Sequence, residues 1–192
     1  MKRIFISMAL VGAVLCANAQ TNEMLRAQRQ EFRNELTSKE AMDREAKLDE
    51  LYAKMDAIEE TSLNSVDGLA NSCKGFLKTI SSTNDVLKEY KTEVKDNGEG
   101  EIDITKYKAK LPEYVNLATN LASASKDIAE ASKELPKASD DVKTVKNPRQ
   151  LKPVKNSVAF SKDALPVCTE EVAFQTKLVN NLIESIKASD NY

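Results

Sequence analysis

Apart from two steps of six on either side of Met42, apolar residues recur at steps of three, four or seven positions over residues 20–58, where the rest of the segment is dense in charged side chains. Such steps place the apolar side chains on one face of an α-helix. The segment contains neither glycine nor proline, so the pattern predicts a long, charged amphipathic helix or arm over residues 20–60. Its apolar stripe is narrow, as in a coiled-coil contact. The stripe consists of Leu25, Phe32, Leu36, Met42, Leu48, Leu51, Met55 and Ile58.

The same periodicity predicts three further helices, at about 62–95, 112–145 and 155–188. Thr61-Ser62 and Asp67-Gly68 favour a break between the first helix and the second, although a continuous helix as far as Val94 is the alternative. Pro136 predicts a kink. Helices of similar length joined by short connections indicate an all-α fold, an antiparallel three- to four-helix bundle over residues 62–190.

The connections between these helices are marked by glycine and proline. Asn97-Gly98-Glu99-Gly100 should end the second helix, and Asp103 or Thr105 should cap a short helix that reaches Lys110. The stretch from Asn147 to Pro153 has two prolines and is expected to be an extended linker.

Composition removes several kinds of chemistry. The chain has no histidine, the commonest general base and a common metal ligand, so catalytic sites built from Ser-His-Asp or Cys-His are excluded, as are zinc sites that use histidine. No motif for a phosphate loop or a serine nucleophile is present. We therefore expect a protein that is not an enzyme, with no catalytic residues, no metal and no cofactor.

The first nineteen residues resemble an export signal. Lys2 and Arg3 precede an apolar run that ends at Ala17-Asn18-Ala19, which predicts a signal peptide over residues 1–19 and a periplasmic or secreted protein. The run is shorter than a membrane-spanning helix, and we expect no transmembrane segment in the mature chain. The alternative is a lipoprotein signal, with the protein anchored through an acylated Cys16.

Two cysteines, Cys73 and Cys168, remain after the signal, and an exported protein lies where thiols can oxidise. If helices 62–95, 112–145 and 155–188 run up, down and up, the two cysteines lie at heights that differ by about 3 Å. This arrangement predicts a disulfide between Cys73 and Cys168. Two buried free thiols are the alternative.

Residues 95–106 resemble the calcium loop of an EF-hand. With Gly100 at the turn position, Asn97, Glu99 and Asp103 fall on ligand positions. However, Lys95 and Lys106 replace the first carboxylate and the bidentate glutamate, and two ammonium groups would repel the ion. The loop is therefore predicted not to bind calcium.

Basic residues recur at every third position across the predicted linker: Lys143, Lys146, Arg149, Lys152 and Lys155. We call this set the basic ladder. Three is also the repeat of polyproline II, so the charges should point the same way and suit an anionic surface. The alternative is an exposed linker kept soluble by its charges. Without interleaved aromatic residues, the ladder is not expected to bind nucleic acid.

The sequence favours two hypotheses for function over a third, an enzyme with carboxylate or lysine catalysis. In the first, an exported helical bundle acts in binding or scaffolding, with residues 20–58 as the contact to a protein partner or to a second copy in a homodimer. In the second, a chaperone-like or membrane-associated bundle opens its amphipathic helices onto lipid or an unfolded client.

Overall fold

A computed structural model describes the backbone of residues 18–189 and the side chains of residues 21–189. The predicted signal therefore lies almost wholly outside the described residues, and so does Cys16. Residues 18–189 form five α-helices and two short 3₁₀-helices, at Ile104–Lys110 and Val142–Thr144. The α-helices are α1 (Asn18–Leu36), α2 (Lys39–Met55), α3 (Asn64–Asp96), α4 (Leu111–Asp141) and α5 (Pro148–Ser189).

The prediction of an all-α fold is confirmed, since the described part of the chain contains no strand. Helices α3, α4 and α5 each pack against the other two and enclose most of the core. Ser65 on α3 bonds Asp141 on α4, so the start of α3 lies beside the end of α4 and the two helices run antiparallel. Within residues 18–189, no helix combines the length and the apolar character needed to cross a bilayer.

The segment predicted as one charged N-terminal helix is divided into α1 and α2. Thr37 Oγ1 donates to the Arg33 carbonyl at the end of α1. Ser38 Oγ then accepts from the Ala41 N–H and caps α2. Ser38 thus pairs the Ala41 N–H, which a continuous helix would have bonded to the Thr37 carbonyl, and its hydroxyl donates to the Glu35 carbonyl. The helix is interrupted for two residues, Thr37 and Ser38.

Helices α1 and α2 follow one another along α3 and α5. Arg33 on α1 reaches the Lys95 carbonyl at the end of α3, whereas Tyr52 on α2 donates to the Leu77 carbonyl in the middle of that helix. The two helices therefore run antiparallel to α3. Residues 56–63 are not helical and separate α2 from α3, in the region where the sequence favoured a break.

The prediction of an extended linker from Asn147 to Pro153 is wrong, because α5 begins at Pro148. Asn147 Oδ1 accepts the Arg149 N–H, which makes Asn147 a helix cap. Pro148 occupies the first turn, where a missing N–H costs no hydrogen bond. Pro153 and Pro166 both lie inside α5, and Pro136 lies inside α4 without ending it.

Candidate docking groove and the predicted sites

The loop that resembles an EF-hand is held by arginines of α1. Arg29 Nε donates to the Gly100 carbonyl at 2.7 Å, and Arg26 Nε donates to the Glu99 carbonyl at 2.6 Å. Arg26 also forms ion pairs with the carboxylates of Glu99 and Glu101. The loop oxygens therefore face guanidinium groups, and the described residues contain no cluster of three side chains suited to a metal.

The remaining loop residues have structural roles. Asn97 Oδ1 accepts the Glu99 N–H within the turn. Asp103 accepts the N–H and the hydroxyl of Thr105, so it caps the 3₁₀-helix as predicted. These two hydrogen bonds lower the pKa of the Asp103 carboxyl.

The predicted disulfide is not present. Cys73 on α3 and Cys168 on α5 are free thiols, and both are fully buried. Burial raises the pKa of Cys73 to about 11 and that of Cys168 to about 12, and the neighbouring Cys73 adds to the shift at Cys168. Cys73 thus lies close enough to influence the pKa of Cys168, and each thiol serves here as a small core residue.

The basic ladder does not have the predicted polyproline geometry. Lys143 lies in a 3₁₀-helix and pairs with Asp140 at 2.6 Å. Arg149, Lys152 and Lys155 lie in the first turns of α5, so they spread around one side of a helix instead of forming a straight ridge. All five residues are exposed. Within the described residues, no ion pair involves the last four of them.

The apolar stripe of residues 20–58 faces the rest of the same chain. Leu25, Phe32, Leu48 and Leu51 are buried in the core. Arg44 anchors α2 to α5 through a 2.9 Å ion pair with the buried Glu171. Met24 and Met42 remain exposed. The apolar surface that was predicted to contact a partner is thus mostly buried against the rest of the chain.

A groove of about 890 Å³ runs between α3 and α4. Its α3 wall carries small residues at alternating steps of three and four, which keeps them on one helix face. They extend from Ser65 to Ser82, a length of about 26 Å at 1.5 Å per residue. This wall consists of Ser65, Gly68, Ser72, Gly75, Thr79 and Ser82.

The floor of the groove is apolar, and it includes Leu69, Phe76, Ala124 and Ala131, all buried. Thr83 lines the same groove and is fully buried. Its hydroxyl oxygen has no hydrogen-bond partner within the described residues. A buried hydroxyl without a partner is costly, and each such group needs a physical explanation, such as a water or a bound molecule.

The two glycines of the α3 wall have no steric reason in this fold. A Cβ added at Gly68 or Gly75 would meet no atom within 4 Å. Each glycine in a helix interior costs about 1 kcal/mol relative to alanine.

The opposite wall, on α4, carries Asn120, Ser123 and three exposed acids, which are Asp127, Glu130 and Glu134.

The sequence patterns alone did not reveal this groove. Asp67-Gly68 indicated a helix end, whereas Gly68 lies inside α3. The signal was the regular spacing of small residues from 65 to 82, but its meaning depends on α4 packing beside that face.

Comparison with known proteins finds no family model, no curated protein and no solved structure that matches this chain.

Proposed function

We propose that this chain is an exported, non-enzymatic protein that binds a helical segment of another protein in the groove between α3 and α4. The observation that supports the proposal most is the exposed pair Gly68 and Gly75, whose free energy cost has no compensation within the chain. Small residues let a second helix approach closely, so the compensation would come from a docked helix.

The surroundings of the glycines agree with a docking surface. Among the exposed residues of α3 from 64 to 82, only Lys78 is charged. An ordinary exposed helix carries more charge, whereas the centres of protein interfaces are depleted of it. The buried apolar floor below would be covered by the partner's side chains, as in other complexes where a helix binds a groove.

Site-specific photo-crosslinking in the producing organism tests the proposal. A photoreactive residue at Ser72 or Ser123, on the two walls, should form a discrete adduct of the same partner. The same residue at Asn156, exposed on α5, is the matched control and should not. Gly75→Leu fills the groove and should abolish the adduct. An adduct that survives Gly75→Leu, or none specific to the walls, would reject the proposal.

A homodimer through residues 20–58 remains a second form of the binding hypothesis. The surface available for it is small, because Met24 and Met42 are the large apolar residues of this segment that stay exposed. Light scattering of Met24→Glu/Met42→Glu against the unmodified protein tests it. A dimer that becomes a monomer would support this contact, and an unchanged mass would reject it.

The basic ladder favours one alternative, a protein that associates with an anionic surface. Lys146, Arg149, Lys152 and Lys155 are exposed near one end of the bundle. Their attraction to anionic headgroups should weaken with salt. Flotation with vesicles of anionic lipid, at low and high salt, tests this candidate, and absence of binding at low salt would reject it.

A further inference from the structure

The acidic side chains of the groove between α3 and α4 restrict the kind of partner that can bind there. This inference rests on the proposed function above. Of the residues that line the groove, three are acidic and none is basic. Asp127, Glu130 and Glu134 lie at steps of three and four on α4, so they share one side of that helix. The α3 wall opposite them is neutral.

Little within the chain neutralises these acids. Lys133 forms an exposed ion pair with Glu130 at 2.7 Å. No ion pair within residues 21–189 involves Asp127 or Glu134. The groove therefore has an apolar floor, one acidic wall and one wall of small neutral residues.

We infer that the groove binds a basic amphipathic helix of another protein. Its apolar stripe covers Phe76 and Ala124 on the floor, and its lysines or arginines lie on the flank that faces α4. Its other flank is uncharged and lies against Gly68 and Gly75, where the two backbones come close.

The acidic charge of the groove also disfavours a homodimer in which the grooves of two copies face each other. Two copies paired with α4 against α4 would bring two acidic walls together, and like charges in contact are unfavourable. With α4 against α3, neither acidic wall would meet a basic residue of the groove lining. A basic helix instead places opposite charges beside one another, which increases the association rate and fixes the orientation of the helix.

Designed peptides test the inference with the purified protein. Three helical peptides of about 18 residues, matching the groove length, share one stripe of alanine and leucine and carry lysine, glutamine or glutamate on one flank. Fluorescence anisotropy should show the lysine peptide binding about tenfold more tightly than the glutamine peptide at low salt, since each exposed pair contributes little. Higher salt should reduce the difference.

Two protein variants locate the effect. Asp127→Lys/Glu130→Lys/Glu134→Lys should reverse the preference, so that the glutamate peptide binds best. Its matched control makes the same change in net charge at exposed acids of α2, through Glu40→Lys/Asp43→Lys/Glu45→Lys. That control should keep the order seen with the unmodified protein. Thermal unfolding of each variant checks that the fold is intact.

The outcomes separate the inference from the proposed function. If the lysine and glutamine peptides bind equally and Gly75→Leu abolishes both, the charge inference is wrong and docking in the groove stands. If no peptide binds, or binding survives Gly75→Leu, the inference is also wrong, and crosslinking from Ser72 judges the function separately. A dimer in light scattering that Gly75→Leu converts to a monomer would assign the groove to a second copy and overturn the inference.

Discussion

Arg29 Nε donates a hydrogen bond of 2.7 Å to the carbonyl oxygen of Gly100, which ties α1 to the loop after α3. Through Nη1 the same guanidinium donates to Ser185 Oγ on α5 at 2.8 Å. Arg29 is 8% exposed, so these bonds lie where water contributes little. Hydrogen bonds to a buried charged group are stronger than average. One side chain thus fixes the position of three elements at one end of the bundle.

Gly100 should tolerate no side chain. Its φ is +71°, a conformation that favours glycine, and an added Cβ would lie 2.8 Å from the Arg26 carbonyl oxygen. We expect Gly100→Ala to lower the free energy of unfolding by about 2 kcal/mol or more, measured by urea denaturation. Gly98→Ala in the same loop is the control, since its Cβ meets no atom within 4 Å. Equal effects of both substitutions would contradict this account of the loop.

The ion pair of Arg44 and Glu171 gives a second prediction. Glu171 is 4% exposed, and Arg44→Met would leave its carboxylate with Lys91 at 3.8 Å as the remaining ion pair. We expect a loss of about 2 to 4 kcal/mol in unfolding free energy, because a buried charge that loses its main partner is strongly destabilising. Adding Glu171→Gln to Arg44→Met should recover part of this loss, and a further loss of similar size would contradict the prediction.

The apolar periodicity predicted a helix well where the helix has regular apolar steps and local signals for its ends. The predicted helix at 62–95 corresponds to α3, Asn64–Asp96, because its apolar steps and the glycines that follow it are local features. The break at Thr37 and Ser38 was missed, since neither glycine nor proline marks it. Asn147-Pro148 was interpreted as linker, although an asparagine followed by a proline also suits the first turn of a helix.

Tertiary contacts were harder to infer. The predicted stripe of residues 20–58 packs against the core except at Met42, which is exposed. The sequence does not say whether that face meets a partner or the same chain. Arg29 looked like one of many surface charges, and its burial depends on the loop at Gly100 arriving beside it. The groove at Gly68 and Gly75 likewise exists only because α4 lies alongside α3.

Alanine at the groove glycines should stabilise the isolated protein. The Cβ atoms at Gly68 and Gly75 would have free space, and alanine favours the helix. We expect each substitution to raise the unfolding free energy by about 0.5 to 1 kcal/mol, measured by urea denaturation. Under the proposed function, both should weaken partner crosslinking from Ser72. Destabilisation by either alanine would show that the glycines are needed within the chain.

The thiols of Cys73 and Cys168 should be unreactive in the folded protein. Both are fully buried, and burial raises their pKa values, so little thiolate forms near neutral pH. We expect a thiol reagent at pH 8 to label neither cysteine before unfolding and both in denaturant without reductant. Absence of labelling after unfolding would show that the purified protein contains the disulfide that the sequence predicted.

Alkaline pH should destabilise the fold. Burial raises the pKa of Cys73 to about 11, and raises that of Cys168 and of the Tyr52 hydroxyl to about 12. In the unfolded chain the thiols release their protons near pH 9 and tyrosine near pH 10. The folded state therefore binds more protons above pH 9, and its stability falls as pH rises, by up to about 1.4 kcal/mol per pH unit for each thiol.

The effect begins as the pH approaches 9, the ordinary pKa of a thiol, because well below it both states keep these protons. Urea denaturation between pH 8 and 11 should show the decline, and Cys73→Ala/Cys168→Ala should reduce its slope near pH 9, below the ordinary pKa of tyrosine. The double variant loses some stability at every pH from the smaller side chains, so the slope is the decisive measurement. An unchanged slope would mean that the thiols do not remain protonated in the folded core.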